Sequence, residues 1–520
     1  MADLPHVFPT VVHMLADATK LAPQREALVC DDERLDYAEY FRCVAGFAHE
    51  LIGLGAAGGR VGIVLGNSID ICIAMFAIHA ARSQAVPINP AYTERELRHI
   101  LADAAPQVVI YADDKRQLIE GLAEELNIPH RIRIAADSRR LTEWRHAADL
   151  SLPQPLPRPE ELATLQYTGG TTGRAKGVNL THGAVAANIS QREALLPARK
   201  DRERLLCVMP LFHIYAVAMC LHNMANARGT LVILPRYTPE AVFELVPRER
   251  ITVFAGSPTL FIGLLGHPGF AQADFSSLHL SYSGAAALPE ELLKRWQAAT
   301  GAPVLEGYGQ SETGPVLSFN PLNGERKFGS VGLPLPETEI QIVDLEQGST
   351  VLGVGEKGEI RVRGPQLMTS YRNLPKETAE TLRHGWLYTG DIGEFDAGGY
   401  LYIRDRKKEM AKVSGFNVFP REIEEVLFQH PAVREAAVVA VPDSYRGEVV
   451  KAYVVPHQPD MVTVEQLALH CQANLAKYKW PATINLVTEL PKTGVGKIDK
   501  NRLREVQVTA PSQSPETGRT

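Results

Sequence analysis

The sequence predicts an α/β protein with a large N-terminal domain of layered mixed and parallel sheets, flanking helices and a small β-subdomain, followed by a small, mobile α+β C-terminal domain. Three observations carry this. A chain of 520 residues exceeds what one compact core accommodates. Through its first part, β-rich runs alternate with helix-like stretches, the pattern of parallel βαβ units. After about Gly355 the runs shorten and are punctuated by glycine turns.

The alternation is clearest from Arg60 to Ile110. Val61-Gly62-Ile63-Val64-Leu65 reads as a strand, the apolar stretch to Ala81 as a helix, Ala85-Val86-Pro87-Ile88 as a strand, the segment from Thr93 as a helix and Gln107-Val108-Val109-Ile110 as a strand. The proline-rich stretch 152–159 cannot be regular helix and reads as a surface connector. It leads into a buried strand, Leu162 to Tyr167. Strand-then-helix patterns recur at 204–209, 229–234 and 252–255. Shorter β-like runs follow at 358–364 and 399–403. The charged run Arg404-Asp405-Arg406-Lys407-Lys408-Glu409 is expected to end the β pattern and mark a boundary. The expected division is a domain over 1–404, a junction over 405–409, a small domain over 410–509 and a disordered polar tail over 510–520.

Composition excludes several classes. A net charge of −6 provides no basic footprint for nucleic acid, and no run of Lys or Arg marks an anionic membrane surface. The start of the chain lacks the charged and apolar regions of a secretory signal. The most apolar segment, 69–81, is too short to span a bilayer and is interrupted by Asp70 and His79. A cytoplasmic protein is expected. Its six cysteines lack metal-ligand spacing and read as buried free thiols.

The segment most informative about chemistry is Gln166-Tyr167-Thr168-Gly169-Gly170-Thr171-Thr172-Gly173-Arg174-Ala175-Lys176-Gly177. Glycines let the backbone approach an anion, threonine hydroxyls and turned-in amides supply neutral donors, and Lys176 adds a positive charge. The spacing departs from the common nucleotide P-loop, because Gly177 rather than Ser or Thr follows Lys176. A Gly/Thr-rich surface linker is the alternative for this segment taken alone.

Four further segments join it in order: Glu306-Gly307-Tyr308-Gly309-Gln310-Ser311-Glu312, Trp386-Leu387-Tyr388-Thr389-Gly390-Asp391, the charged run continuing to Ser414-Gly415-Phe416-Asn417-Val418, and Pro491 to Ile498. Together they resemble the adenylate-forming superfamily of acyl-CoA synthetases, luciferases and adenylation domains, over about residues 25–505. The glycine-threonine loop, Pro210-Leu211-Phe212-His213-Ile214-Tyr215 and Val413 to Val418 look most like bacterial medium- and long-chain fatty-acid–CoA ligases.

The resemblance implies two half-reactions: a carboxylate attacks the α-phosphate of Mg-ATP to give acyl-AMP and pyrophosphate, and the thiol of CoA then displaces AMP. It assigns Thr168 to Lys176 to the β- and γ-phosphates. Glu312 is expected to hold Mg²⁺, with Thr168 reaching the same ion. Tyr308 would stack on adenine, with Gly284-Ala285-Ala286 on its other side and Glu306, Gly307, Gly309, Gln310 and Ser311 completing the motif. Asp391 would accept from the ribose hydroxyls, and Arg406 would lie near the ribose and α-phosphate. Lys497 is similar to the catalytic lysine of adenylation. Lys408 matches the hinge about which the small domain turns, bringing a strand at Ser414-Gly415-Phe416 to line the pantetheine tunnel; Lys412 is similar to a lysine near the nucleotide in the second conformation. His213 and Tyr215 would gate an acyl pocket walled by Phe254, Gly256, Ser257, Gly284 and Ala285. No cation in these segments meets a second carboxylate, which favours a monocarboxylic acid.

Gly170, Ala175, Ala285 and Glu409 depart from the superfamily's commoner Ser/Thr, Pro, Gly and Asp. The first two recur in fatty-acyl members; the others affect pocket depth and hinge bonding. The alternatives are an aryl-acid CoA ligase, an acyl-AMP ligase loading a carrier protein, and a non-catalytic ATP-binding scaffold. Against the last stand Lys176, Glu312, Asp391, Arg406 and Lys497, all present. The reading leaves room for transient membrane contact to collect an insoluble acid, and for a homodimer.

Overall fold

A computed structural model describes residues 4–135, 140–148, 150–168, 175–284, 289–443, 445–493 and 497–505. The expectation of a disordered tail over 510–520 lies outside these residues. The chain forms two compact units. The first comprises 1–356, 360–389 and 395–402; the second comprises 357–359, 390–394 and the chain from 403 onward.

Two large sheets build the first unit. One is seven-stranded, in the order Ser370–Tyr371, Lys176–Thr181, Leu162–Thr168, Gln84–Pro87, Arg60–Val64, Val108–Ala112, His130–Ile134. Its middle and far strands are parallel, as the strand–helix–strand alternation predicts. The other is nine-stranded, with Thr230–Ile233, Arg204–Cys207, Val253–Gly256, Leu280–Ser283 and Val304–Tyr308 parallel at its centre. Every residue of its strands Thr230–Ile233, Val253–Gly256 and Leu280–Ser283 is buried, and the first two lie in segments that read as strands from the sequence.

The helix Ile69–Ala80 is buried on every side over its 12 residues. A helix surrounded by protein needs no polar face, which explains its uniformly apolar composition. Its two exceptions are placed differently. Asp70 accepts from Arg140 Nε and Leu141 N, both at 2.7 Å. His79, fully buried, lies beside two other buried imidazoles, with ring centroids 5.2 Å from His182 and 6.2 Å from His222. All six cysteines are free, five of them buried, and burial pushes the Cys43 thiol up to about 12. Among the described residues, no helix is long and apolar enough to cross a membrane.

The second unit is an α+β body. Its sheet runs Phe416–Val418, Ala411–Val413, Gly447–Pro456, Val433–Asp443, with Thr483–Leu486 parallel to Gly447–Pro456. The helices Pro420–Phe428 and Val464–Asn474 cover one face around Ile423, Leu427, Leu467 and Cys471.

Two expectations need correction. The charged run does not end the β pattern at its start: the strand Leu401–Arg406 continues through Arg406. Arg404 is neutralised by Glu394 and Arg406 by Asp391, both on the strand Trp386–Phe395, so opposite charges stand side by side in the sheet. Ser414-Gly415-Phe416 is not one strand. Val413 pairs with Phe416, and Ser414 and Gly415 form the connection of a hairpin with φ of 50° and 86°. Two consecutive positive φ values match the twist of a two-residue hairpin, and Gly carries the second without strain.

Candidate active site

The strands Leu162–Thr168 and Lys176–Thr181 are antiparallel, and Thr168 stands opposite Lys176 in register. Thr168 and Lys176 therefore stand side by side at the two ends of the segment expected to bind phosphate. Gly169, Gly170, Thr171, Thr172 and Gly173 lie outside the described residues.

Beyond the loop's second strand lies Ser370–Tyr371, with Tyr371 opposite Val178. Tyr371 was not anticipated from the sequence. Its ring lies 5.1 Å from Lys176 Nζ, and its hydroxyl donates to Glu312 Oε1 at 2.8 Å. Burial, then the Glu312 carboxylate, pushes the Tyr371 phenol well above its ordinary value, so it remains a proton donor. One side chain thus joins the ammonium of the loop to the carboxylate of a motif more than a hundred residues away.

Glu312 sits in the 3₁₀ turn Ser311–Thr313. The Thr313 hydroxyl accepts from Gln310 N at 2.8 Å, and Gln310 Nε2 donates to Thr389 O at 3.0 Å. Glu312 O accepts from Met368 N at 2.9 Å, so both backbone and side chain of Glu312 are held. A Cβ at Gly309 would stand 1.8 Å from Pro315 O; only glycine lets the chain turn this tightly before Ser311. Glu306, Gly307 and Tyr308 end the strand Val304–Tyr308. Glu306 is buried, Gly307 makes room for the Phe319 ring, and Tyr308 O accepts from Leu317 N.

The donor set suits a hard divalent cation. Glu312 offers a carboxylate oriented by Tyr371, and among the described residues no group of three or more His, Cys, Asp or Glu side chains competes for a metal. A single protein carboxylate is what Mg²⁺ uses when waters and phosphate oxygens fill its other positions.

A second cluster surrounds Tyr215. His213 Nδ1 accepts from Tyr215 N at 3.2 Å, so the imidazole caps the short helix Ile214–Ala216. A Cβ at Gly284 would meet Tyr215 Cε2 at 2.6 Å, so the tyrosine occupies the space that glycine leaves. Ala285 and Ala286 lie outside the described residues. Phe254 is not brought to this cluster. Its ring stacks on Trp296 at 5.7 Å and meets Phe261 edge-on at 5.6 Å, and a Cβ at Gly256 would face the same two phenylalanines. On a strand buried on both faces, alternate side chains reach different layers, and Phe254 and Gly256 share the aromatic one. Ser257 is buried at the start of the helix Pro258–Leu265.

In the second unit, Arg406 Nε lies 3.3 Å from Asp391 Oδ1; Asp391 is buried, whereas the Arg406 side chain is half exposed. Asp405 accepts from Arg406 N at 2.7 Å and Arg421 N at 3.1 Å, and burial raises it to about 6. Lys408 follows in a turn, its ammonium lowered by burial and then by Arg406. Lys412 is exposed on the strand Ala411–Val413, and Phe416 stacks on Tyr478 at 4.7 Å. Lys497 closes a loop: its N donates to Thr493 Oγ1 at 3.2 Å and its O accepts from Thr493 N at 2.7 Å. Residues 494–496 lie outside the described residues.

A family model described as AMP-binding enzyme matches residues 15–372, and one described as AMP-binding enzyme C-terminal domain matches residues 422–497. A long-chain-fatty-acid–CoA ligase of Bacillus subtilis is 35% identical over 97% of this chain and 96% of its own. A feruloyl-CoA synthase of Amycolatopsis sp is 35% identical over 93% of this chain and 96% of its own. ATP-bound MatB from Rhodopseudomonas palustris superposes with a TM-score of 0.89 at 30% identity, covering 96% of this chain and 99% of that one.

Proposed function

The chain belongs to the AMP-binding enzyme family, and on that premise we propose that it is an AMP-forming fatty-acid–CoA ligase. It adenylates a medium- or long-chain acid with ATP, releasing pyrophosphate, and transfers the acyl group from AMP to CoA. The observation that carries the proposal is the convergence of Lys176 and Glu312 on Tyr371, beside the segment expected to bind phosphate.

Thr168 and Lys176 hold the β- and γ-phosphates at the two ends of the loop. Glu312 would hold Mg²⁺, with Thr168 reaching toward the same ion; when bound, the ion offsets phosphate charge. Tyr371 keeps the Glu312 carboxylate oriented by donating to one of its oxygens. Asp391 and Arg406 are assigned to the ribose and α-phosphate. Lys497 is assigned to adenylation, where a fixed ammonium offsets repulsion between the acid's carboxylate and the α-phosphate and stabilises the charge that develops between them. The hinge at Lys408, and the domain limits at 404, 409 and 509, belong to the same proposal. Unpaired thiols agree with a reducing, cytoplasmic setting.

An aryl-acid CoA ligase is the second reading, favoured by the feruloyl-CoA synthase at the same 35% identity as the fatty-acid ligase. ATP–pyrophosphate exchange over a panel of short- to long-chain and aromatic acids, each followed by CoA and mass detection, tests the proposal. Exchange with aliphatic acids and release of their thioesters supports it. Thioesters from aromatic acids alone select the second reading, and no exchange with any acid refutes both.

A further inference from the structure

The helix Glu94–Ala104 opens with a capping box, Thr93 with Glu96, and buries Leu97, Ile100, Leu101 and Ala104 among side chains of the seven-stranded sheet. Asp103 stands in its last turn, where the helix dipole disfavours a carboxylate and no basic residue offsets it. The helix alone gives no reason for an acid here; its partners lie on other elements.

One Asp103 oxygen accepts from the Tyr167 hydroxyl at 2.5 Å and the other from Asn373 Nδ2 at 2.9 Å. Its backbone oxygen, one of the carbonyls a helix leaves unmet at its end, accepts from Arg372 Nε at 2.6 Å. Tyr167 directly precedes Thr168, and Arg372 and Asn373 directly follow Tyr371. Burial, then the bond to Asp103, raises the Tyr167 phenol well above its ordinary value, so it remains a donor. Gly177, opposite Tyr167 in register, leaves room for that ring: a Cβ there would stand 3.2 Å from Tyr167 Cζ. One turn earlier on the same helix face, His99 Nε2 lies 3.1 Å from Ala175 O. A carbonyl only accepts, so the imidazole donates, and Ala175 directly precedes Lys176.

One helix face thus bonds the residues adjoining Thr168, Lys176 and Tyr371, the three positions on which the phosphate and Mg²⁺ assignments lean. Resting on the acid–CoA ligase reading, we propose that Asp103 is a positioning residue for the triphosphate. Acting through Tyr167 on one side and Asn373 on the other, it fixes the Thr168 end of the phosphate segment relative to Tyr371, and so to Glu312. Donors held in place before the ligand arrives spare it the cost of ordering them. The effect therefore falls on ATP and pyrophosphate and not on the acid.

The test titrates Mg²⁺-pyrophosphate calorimetrically into the full chain, and reads KM for ATP and for the acid in pyrophosphate exchange with the most active acid. Tyr167→Phe keeps the ring and deletes one bond to Asp103; it should raise the pyrophosphate Kd and the KM for ATP about tenfold, the scale of one hydrogen bond to a charged group. The KM for the acid should not change. Asp103→Ala should do at least as much, and adding Tyr167→Phe to it should cost nothing further, because the two share one interaction. Asp103→Asn should recover most of the loss: its amide oxygen accepts from Tyr167, and its amide nitrogen donates to Asn373 Oδ1 once that side chain turns over. An unchanged pyrophosphate Kd in Tyr167→Phe overturns the inference even if Asp103→Ala does not fold, and leaves the ligase reading standing. Equal rises in both KM values, additive losses in the double variant, or no recovery in Asp103→Asn overturn it too. No exchange with any acid in the wild type overturns the ligase reading instead, and the pyrophosphate titration is read independently of it.

Discussion

Acidification should destabilise the first unit through its buried imidazoles. His79, His182 and His222 are at most 1% exposed. Burial lowers His182 to about 4 and His222 to about 3, and drives His79 well below its ordinary value of 6.5. A base with a depressed folded pKa stays neutral in the native state while the unfolded chain takes up the proton. Its contribution is therefore intact above pH 6.5, declines as pH falls through that value, and stops declining below the folded pKa. At about pH 5, His182 and His222 each cost about 2 kcal/mol, from 1.36 kcal/mol per pH unit. His182 and His222 together remove about 4 kcal/mol, and His79 acts in the same direction. Urea unfolding at about pH 7 and about pH 5, with hydrogen exchange of the Ile69–Ala80 amides reporting on the first unit, measures the loss. Carboxylates also titrate, so the comparison is with His182→Gln, which should lose about 2 kcal/mol less than the wild type across the same interval. Equal losses in the two proteins would refute the reasoning, because His182 would then be protonated alike in both states.

Tyr371→Phe removes the donor that orients Glu312 and should lower pyrophosphate exchange about tenfold at limiting Mg²⁺, given about 1.5–3 kcal/mol for a hydrogen bond to a charged group; a Mg²⁺ titration indistinguishable from wild type would count against the metal assignment. Lys497→Ala should cost adenylation about 3–4 kcal/mol, the scale of one transition-state donor, while largely sparing thioester formation from supplied acyl-AMP. Equal loss in both half-reactions would remove Lys497 from its assigned step. Gly309→Ala places a methyl against Pro315 O and should lower the thermal midpoint of the first unit along with exchange. An unchanged midpoint would show that the 309–315 turn relaxes freely.

The β-rich runs between Arg60 and Ile110 were legible because local composition and parallel topology agree there: strands buried on both faces are apolar throughout, and their connecting helices are long. The loop motif was legible because glycine, threonine and lysine cluster within one turn. Tyr371 was not legible. It lies on a strand two residues long, and its bond to Glu312 spans 59 positions, so no local pattern announces it. The three buried histidines are likewise far apart in the chain and meet only through the packing of three helical segments. The Ser414-Gly415 turn did carry a signal, since Ser-Gly is a turn dipeptide. Reading it as part of a strand gave the flanking β residues precedence over that signal.

The second unit draws Lys357 to Glu359 and Gly390 to Glu394 from earlier in the chain. Glu359 holds Lys407 at 2.8 Å, and Asp391 stands beside Arg406. Glu394 likewise stands beside Arg404, so a fragment beginning at residue 403 would lack all three counter-charges and would expose three cations that the intact protein neutralises. The C-terminal part is not a detachable cassette. Exchanging it between relatives would require transplanting two short, distant stretches with it, and a chimera joined at one seam would begin with a charge imbalance at that seam.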